Sequence, residues 1–187
     1  MTGRELIDAL AVAGKLKDAT RHCYTSGGRH ESVAEHSWRC ALMAYFMKDE
    51  FDGADMEKVI KMCLIHDLGE AFTGDIPTFL KSKSDEATED MLLDSWVATL
   101  PENIGGDMRE LYAEMNERKT LEARIFKAID GIEALISHNE SDISTWIPRE
   151  FELNLTYTDD RVGFSPFLTE LREEVRRDTI EKINAGK

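Results

Sequence analysis

Apolar residues recur at intervals of three and four along most of the chain, the period of helices with one buried face. Residues 3–19 carry Leu6, Leu10, Ala13 and Leu16 on such a face. Residues 20–31 are polar, contain Gly27-Gly28, and read as a loop. Ser32-Val33-Ala34-Glu35 is a capping box, in which a hydroxyl and a carboxylate satisfy free backbone donors at a helix entrance. The helix it opens is predicted to reach about Phe51, with Cys40, Met43 and Met47 on one stripe. Asp55 caps a helix predicted to run to Phe72, with Val59, Met62, Cys63 and His66 at helical spacing, until Thr73-Gly74-Asp75-Ile76-Pro77 breaks it. Residues 85–100 predict an amphipathic helix with Met91, Leu92, Trp96 and Leu100 on its face, followed by a connector from Pro101 to Gly106.

A short helix over 107–117 and a longer one over 120–139 follow, the latter striped by Leu121, Ile125, Ile129, Ile132 and Ile136. Residues 141–164 show no period and read as a long ordered loop with a short strand pair over 151–157 and 161–164. Ser165 at the cap and Pro166 in the first turn open a last helix to about Asn184. The expected class is all-α, a single domain over 1–187 of about six or seven helices. Its motif-bearing part is 20–140, and 141–187 supplies a loop and the C-terminal helix.

Charge narrows the partners. The chain has 37 Asp+Glu against 23 Lys+Arg, a net −14, which disfavours long nucleic acids and anionic membranes because both are recruited by basic surfaces. With 187 residues, 42% of them hydrophobic, the chain has material for a core. Three cysteines, with no CxxC pair, predict a reducing, cytoplasmic setting rather than a disulfide scaffold, with Cys40 and Cys63 in the core. The charged N-terminus does not read as a secretory signal, and no apolar run is long enough to predict a spanning helix.

Four positions carry candidate chemistry: His36, the adjacent His66-Asp67, and Asp130. Each lies within or beside a predicted apolar face, where an unpaired imidazole or carboxylate is costly. Asp130 is the plainest case, an aspartate inside Phe126-Lys-Ala-Ile-Asp130-Gly-Ile-Glu-Ala-Leu135, and Gly131 after it permits close approach by another group. Two imidazoles and two carboxylates from three helices suit one divalent cation of the Mn, Co, Fe or Zn kind. Such an ion acidifies a water and polarises a phosphoryl group. Asp130 paired with Arg39 or Arg124 is the plain structural alternative.

Glu35-His36-Ser37, Ile65-His66-Asp67-Leu-Gly-Glu70, Thr73-Gly74-Asp75-Ile76-Pro77 and Ala128-Ile129-Asp130, in that order, resemble the HD-domain phosphohydrolase superfamily. The closer resemblance is to the YfbR-like 5′-deoxynucleotidases, over roughly residues 1–140. It implies that His36, His66, Asp67 and Asp130 are ligands of one divalent metal ion (Mn, Co, Fe, Zn or Mg). It implies that Glu70 is a general base or water-positioning group, and that Asp75 meets the sugar 3′-hydroxyl and the attacking water. Glu70 also shares a helix face with His66 and Asp67 by its spacing.

The resemblance further implies that Arg21 binds the phosphate, for which a guanidinium is suited; Lys81 is a second candidate for that contact. Where those relatives carry a tryptophan after the arginine, this chain carries His22. No histidine occurs between His66 and His138, which disfavours the two-metal members of the superfamily, and His138 itself falls two helical turns beyond Asp130. His30 reads as exposed. The implied activity is removal of phosphate from a small nucleotide, a deoxyribonucleoside 5′-monophosphate. Two other readings stand beside it: a hydrolase of triphosphates or cyclic phosphodiesters, and a non-catalytic nucleotide-binding module. Late apolar residues such as Trp146, Phe164 and Phe167 complete the core or cover a partner, and the resemblance implies a homodimer.

Overall fold

The computed structural model describes residues 1–186. Among them ten α-helices form, two of only four residues, so the all-α expectation holds while the number of helices exceeds six or seven. They are α1 (Gly3–Ala13), α2 (Val33–Phe46), α3 (Met56–Ile65), α4 (Glu70–Thr73), α5 (Lys83–Val97), α6 (Glu102–Glu117), α7 (Leu121–Glu140), α8 (Glu150–Thr156), α9 (Asp159–Val162) and α10 (Pro166–Ala185).

Local chemistry sets most entrances. At α2 the Glu35 amide donates to the Ser32 hydroxyl (3.2 Å) and the Ser32 amide donates to the Glu35 carboxylate (2.9 Å), the reciprocal box that the sequence predicts. Asp55 caps α3 by accepting from the Lys58 amide, and Ser165 caps α10 with Pro166 in its first turn. α2 stops at Phe46, short of Phe51. The helix predicted from Asp55 to Phe72 is interrupted after Ile65 by turns over 66–69, and resumes as α4. There Gly69 lies so close to the Glu89 side chain that a Cβ would sit 2.6 Å from its Cγ. The predicted connector 101–106 is largely helical: Pro101 precedes α6, and Gly105 lets it approach the Val97 carbonyl at the end of α5.

The main core joins α2, α3, α7 and α10. Cys40, Val59, Met62, Cys63, Ile125, Ile129 and Ile132 are fully buried there, and Leu121 and Ile136 are half-buried at its edge. Each fully buried large aliphatic side chain contributes about 1.5–3 kcal/mol of hydrophobic stabilisation. A smaller cluster of Leu16, Val33, Leu68, Leu93, Val97 and Met108 lies beside α5 and α6. Two predicted faces differ. Leu6 and Leu10 on α1 are exposed and only Leu16, beyond the helix, is buried; on α5 the buried residues are Leu93 and Val97, while Met91 is exposed. In both cases the periodic face is present, but the core meets a different part of it.

Two segments depart from the sequence reading. The loop expected at 20–31 contains an antiparallel pair, β1 (Thr20–Tyr24) and β2 (His30–Ser32), turning through Gly28 at φ +81°. His30 is exposed, as expected, and stacks against Tyr24. The strand pair expected within 151–164 does not form; α8 and α9 occupy that stretch. The buried Arg172 of α10 organises it, donating to the carbonyls of Tyr157 (2.9 Å) and Asn154 (3.1 Å). Thr158, at φ +73°, then seats against α7 where Gly131 leaves space; a Cβ on Gly131 would lie 2.2 Å from Thr158 Cγ2. The late apolar residues largely serve the core: Trp146 is buried, and Tyr157, Phe164 and Phe167 pack against the main cluster.

Leu168 of α10 is fully buried in the main core, whereas Leu10 is 59% exposed. Leu168→Ala is expected to lower unfolding free energy by about 2–5 kcal/mol. Leu10→Ala is expected to change it by less than about 0.5 kcal/mol. Urea denaturation followed by circular dichroism checks both; equal losses would remove the assigned burial.

Candidate active site

Three elements bring the four sequence-flagged residues to one point: α2 carries His36, the turn after α3 carries His66 and Asp67, and α7 carries Asp130. His36 Nε2 lies 3.3 Å from His66 Nε2, 3.2 Å from Asp130 Oδ1 and 3.8 Å from Asp67 Oδ2. His66 Nε2 lies 3.0 Å from Asp67 Oδ2 and 3.7 Å from Asp130 Oδ1. A zinc-class ion holds nitrogen and oxygen donors at about 2.0–2.2 Å, which in a tetrahedral array spaces neighbouring donors about 3.4 Å apart. The observed separations bracket that value, so the residues fit one divalent cation. His66 is aimed there because its Nδ1 bonds the Cys63 carbonyl (2.9 Å), leaving Nε2 for the cluster.

The electrostatics agree with that fit. Although burial raises it, His66 and His36 hold the Asp67 carboxyl down to about 2. Asp130 is likewise held well below the usual range: burial opposes this, but Lys127, 2.6 Å away, and the two histidines outweigh it. Against the effects of burial and Arg21, His36 is pushed up by Cys40 and Asp130. The cluster therefore demands positive charge at its centre. Asp130 is paired with Lys127 rather than with Arg39 or Arg124; Arg124 stacks on Phe164.

The cluster opens into a cavity of about 460 Å³ that also reaches Arg21, Glu70, Asp75, Phe79 and Lys81. Glu70 is buried, and its Oε2 has no hydrogen-bond partner among the described residues. Burial first, then Asp67 and Asp75, lifts its carboxyl to about 9. Burial also raises Asp75. Arg21 on β1 donates through Nη1 to Glu31 (3.0 Å) and Glu133 (3.3 Å). Lys81 pairs with Glu89 at 2.7 Å on the cavity wall. Further cations, Arg118, Lys127, Arg149 and Arg161, line the same space, so its wall is far more basic than the net charge suggests.

Glu133 was not singled out by sequence, yet it organises the site. It is fully buried, contacts His36 Nδ1, and accepts from Arg21, from Arg39 Nε (2.5 Å) and from Ser137 (3.1 Å). Burial raises its carboxyl, but His36 and the two arginines outweigh this and hold it at about 2. A signal existed: Glu133 shares with Asp130 the oddity of an acid within an apolar helix. Glu150, also buried, had none, because its surroundings in sequence carry no period. His138, two helical turns beyond Asp130, lines the same cavity, beside His22 and Glu150.

Comparison with known proteins places these features in a wider group. The chain is 31% identical over 144 residues to the 5′-deoxynucleotidase HDDC2 of Dictyostelium discoideum, covering 72% of this chain and 76% of that one. It is 28% identical over 141 residues to the human 5′-deoxynucleotidase HDDC2, covering 73% and 68%. In fold it is similar to a crystal structure described as a predicted metal-dependent phosphohydrolase from Magnetospirillum magnetotacticum, with a TM-score of 0.82 at 24% identity over 98% of this chain and 96% of that one. It is also similar to a conserved hypothetical protein from Pyrococcus furiosus, with a TM-score of 0.67 at 31% identity over 91% and 99%. The model of the HD domain matches residues 13–171, most of the chain and all four of the converging residues. With that match and the relatives' likeness, the chain belongs to the HD-domain family.

Proposed function

We propose that this protein is a metal-dependent phosphohydrolase that removes the 5′-phosphate from deoxyribonucleoside 5′-monophosphates. One observation carries the reading: two imidazole nitrogens and two carboxylate oxygens, 3.0–3.8 Å apart, converge beneath a cavity walled by arginines and lysines. The names of the curated relatives supply the substrate class. The whole chain acts as one HD unit in this reading, since α10 packs on the same core as α2, α3 and α7.

His36, His66, Asp67 and Asp130 hold the cation, one of Mn, Co, Fe, Zn or Mg. When bound, it acidifies a water and polarises a phosphoryl oxygen. Glu70 lines the cavity beside Asp67 and, as a carboxylate, would take the water's proton. The water oxygen bonds to phosphorus, the bond from phosphorus to the sugar 5′-oxygen breaks, that oxygen takes the proton held by Glu70, and nucleoside and inorganic phosphate leave. Arg21 and Lys81 meet the phosphate; both Arg21 contacts use Nη1, which leaves Nη2 to donate. Asp75, across the cavity, contacts the sugar and orients the water.

The setting follows from the surface and the thiols. Cys23, Cys40 and Cys63 are free and buried, which supports a reducing cytoplasm. Among the described residues no helix is long and apolar enough to cross a membrane. Trp38 and Tyr45, seven residues apart on α2, are exposed beside Phe46, and Leu6, Ile7 and Leu10 are exposed on α1. Such apolar faces support a homodimer.

Phosphate release from deoxyribo- and ribonucleoside monophosphates and triphosphates, under Mn or Co, tests the activity. Deoxyribonucleoside monophosphates are expected to lead. Asp67→Ala should abolish turnover and cation binding at the four-residue cluster with far-UV helicity kept, and turnover surviving that change would sink the metal reading. In the same panel Asp75→Asn should narrow the difference between deoxyribose and ribose; an unchanged ratio removes its assigned contact. Glu133→Gln should weaken metal affinity about 10–100-fold, read by calorimetric titration, since Glu133 orients His36. Unaltered affinity would leave Glu133 a purely structural group. Sedimentation should return twice the 21.2 kDa chain mass at micromolar concentration, and a monomer throughout would exclude the dimer.

A further inference from the structure

On the cavity wall, away from His36 and Asp130, a second set of ligating groups converges. His22 comes from β1, His138 from the last turn of α7 and Glu150 from the first turn of α8. Their side-chain donor atoms all lie within 4.8 Å of one another. His22 Nε2 is 2.5 Å from Glu150 Oε1, and His138 Nε2 is 3.7 Å from the same oxygen. Glu150 Oε2 is engaged separately, accepting from the Ile147 amide at 2.8 Å, so Oε1 alone is turned toward the two rings.

A hydrogen bond from His22 to Glu150 accounts for two of these residues and leaves the third unexplained. His138 is only 8% exposed, and neither of its ring nitrogens has a hydrogen-bond partner among the described residues; 3.7 Å is too long for one. The ring lines the cavity instead. The structure nonetheless holds the ring in place. Trp146 packs edge-on against it at 6.0 Å and donates Nε1–H to the His138 carbonyl at 3.0 Å. The His22 ring lies beside it, with ring centroids 5.2 Å apart.

We propose that His22, His138 and Glu150 form a second divalent-metal site in the wall of the cavity. Two imidazoles and one carboxylate are the donor set of first-row transition ions, with remaining positions left for water or an oxygen of a cavity ligand. Donors of such an ion sit about 3.4 Å apart. The separation of His138 from Glu150 is near that already, and an ion would draw the His22 ring, 34% exposed, about 1 Å back from Glu150. None of these three residues belongs to the four-residue cluster, and the second site stands whether or not the substrate is a deoxynucleotide.

The test counts ions without substrate. Full-length protein stripped with chelator, reloaded with Co(II) and desalted is expected to retain two ions per chain by elemental analysis. Glu150→Gln and His22→Phe should each lose one; the second of these alters a half-exposed residue and guards against misfolding of the first. Asp67→Ala should retain one ion, and adding His22→Phe to it should remove that ion. If the count is the same with and without His22→Phe and Glu150→Gln in folded protein, the second site is overturned. If instead the unaltered protein holds one ion in all, lost in His22→Phe and kept in Asp67→Ala, the second site stands and the proposed function's metal set fails.

Discussion

The structure turns on the fully buried carboxylate of Glu133. An unpaired charge in that position would cost several kcal/mol, so its partners must come to it. They come from three directions: His36 and Arg39 on α2, Arg21 on β1, and Ser137 one turn along α7. One side chain thus pins the hairpin and α2 to α7 and sets the orientation of the His36 ring. Because Nδ1 of that ring is taken up by Glu133, Nε2 is left to face His66, Asp67 and Asp130. The site geometry is in this sense a consequence of satisfying a buried acid.

The acidic balance of −14 acquires a local meaning from this arrangement. Asp67, Glu70, Asp75 and Asp130 border one cavity, and burial first, then repulsion from Asp67 and Asp75, raises the Glu70 carboxyl. Arg21, Lys81, Arg118, Lys127, Arg149 and Arg161 surround the same space. With Glu86 and Glu150 also in the lining, carboxylates and cations are balanced there, in contrast to the acidic excess of the whole chain. The remaining negative surface still opposes long polyanions, so charge selects for ligand size as well as sign.

The least periodic stretch of the chain closes this pocket. Residues 141–164 return across α7 because Gly131 admits Thr158 and because Arg172 gathers the carbonyls at the end of α8. That return brings Glu150 to His22 and His138. His22 therefore meets a partner from the least periodic stretch of the chain.

Several features were legible from the residues alone. The entrances of α2, α3 and α10 were readable because a cap uses atoms within about three residues of each other. The buried stripe of α7 was readable because its period is local, and the His36, His66-Asp67 and Asp130 set was readable because polar groups on apolar faces demand partners. What lay beyond reach depends on distant pairings. His36 and Glu133 are 97 positions apart, and His22 and Glu150 are 128 apart. Whether Leu10 is buried, whether 20–31 pairs as strands and whether 151–162 is helical are decided by which surface each segment meets. Sequence by itself determined the helical class, the caps and the kinds of ligand; tertiary structure decided their convergence, because burial and charge satisfaction are properties of neighbours that only folding supplies.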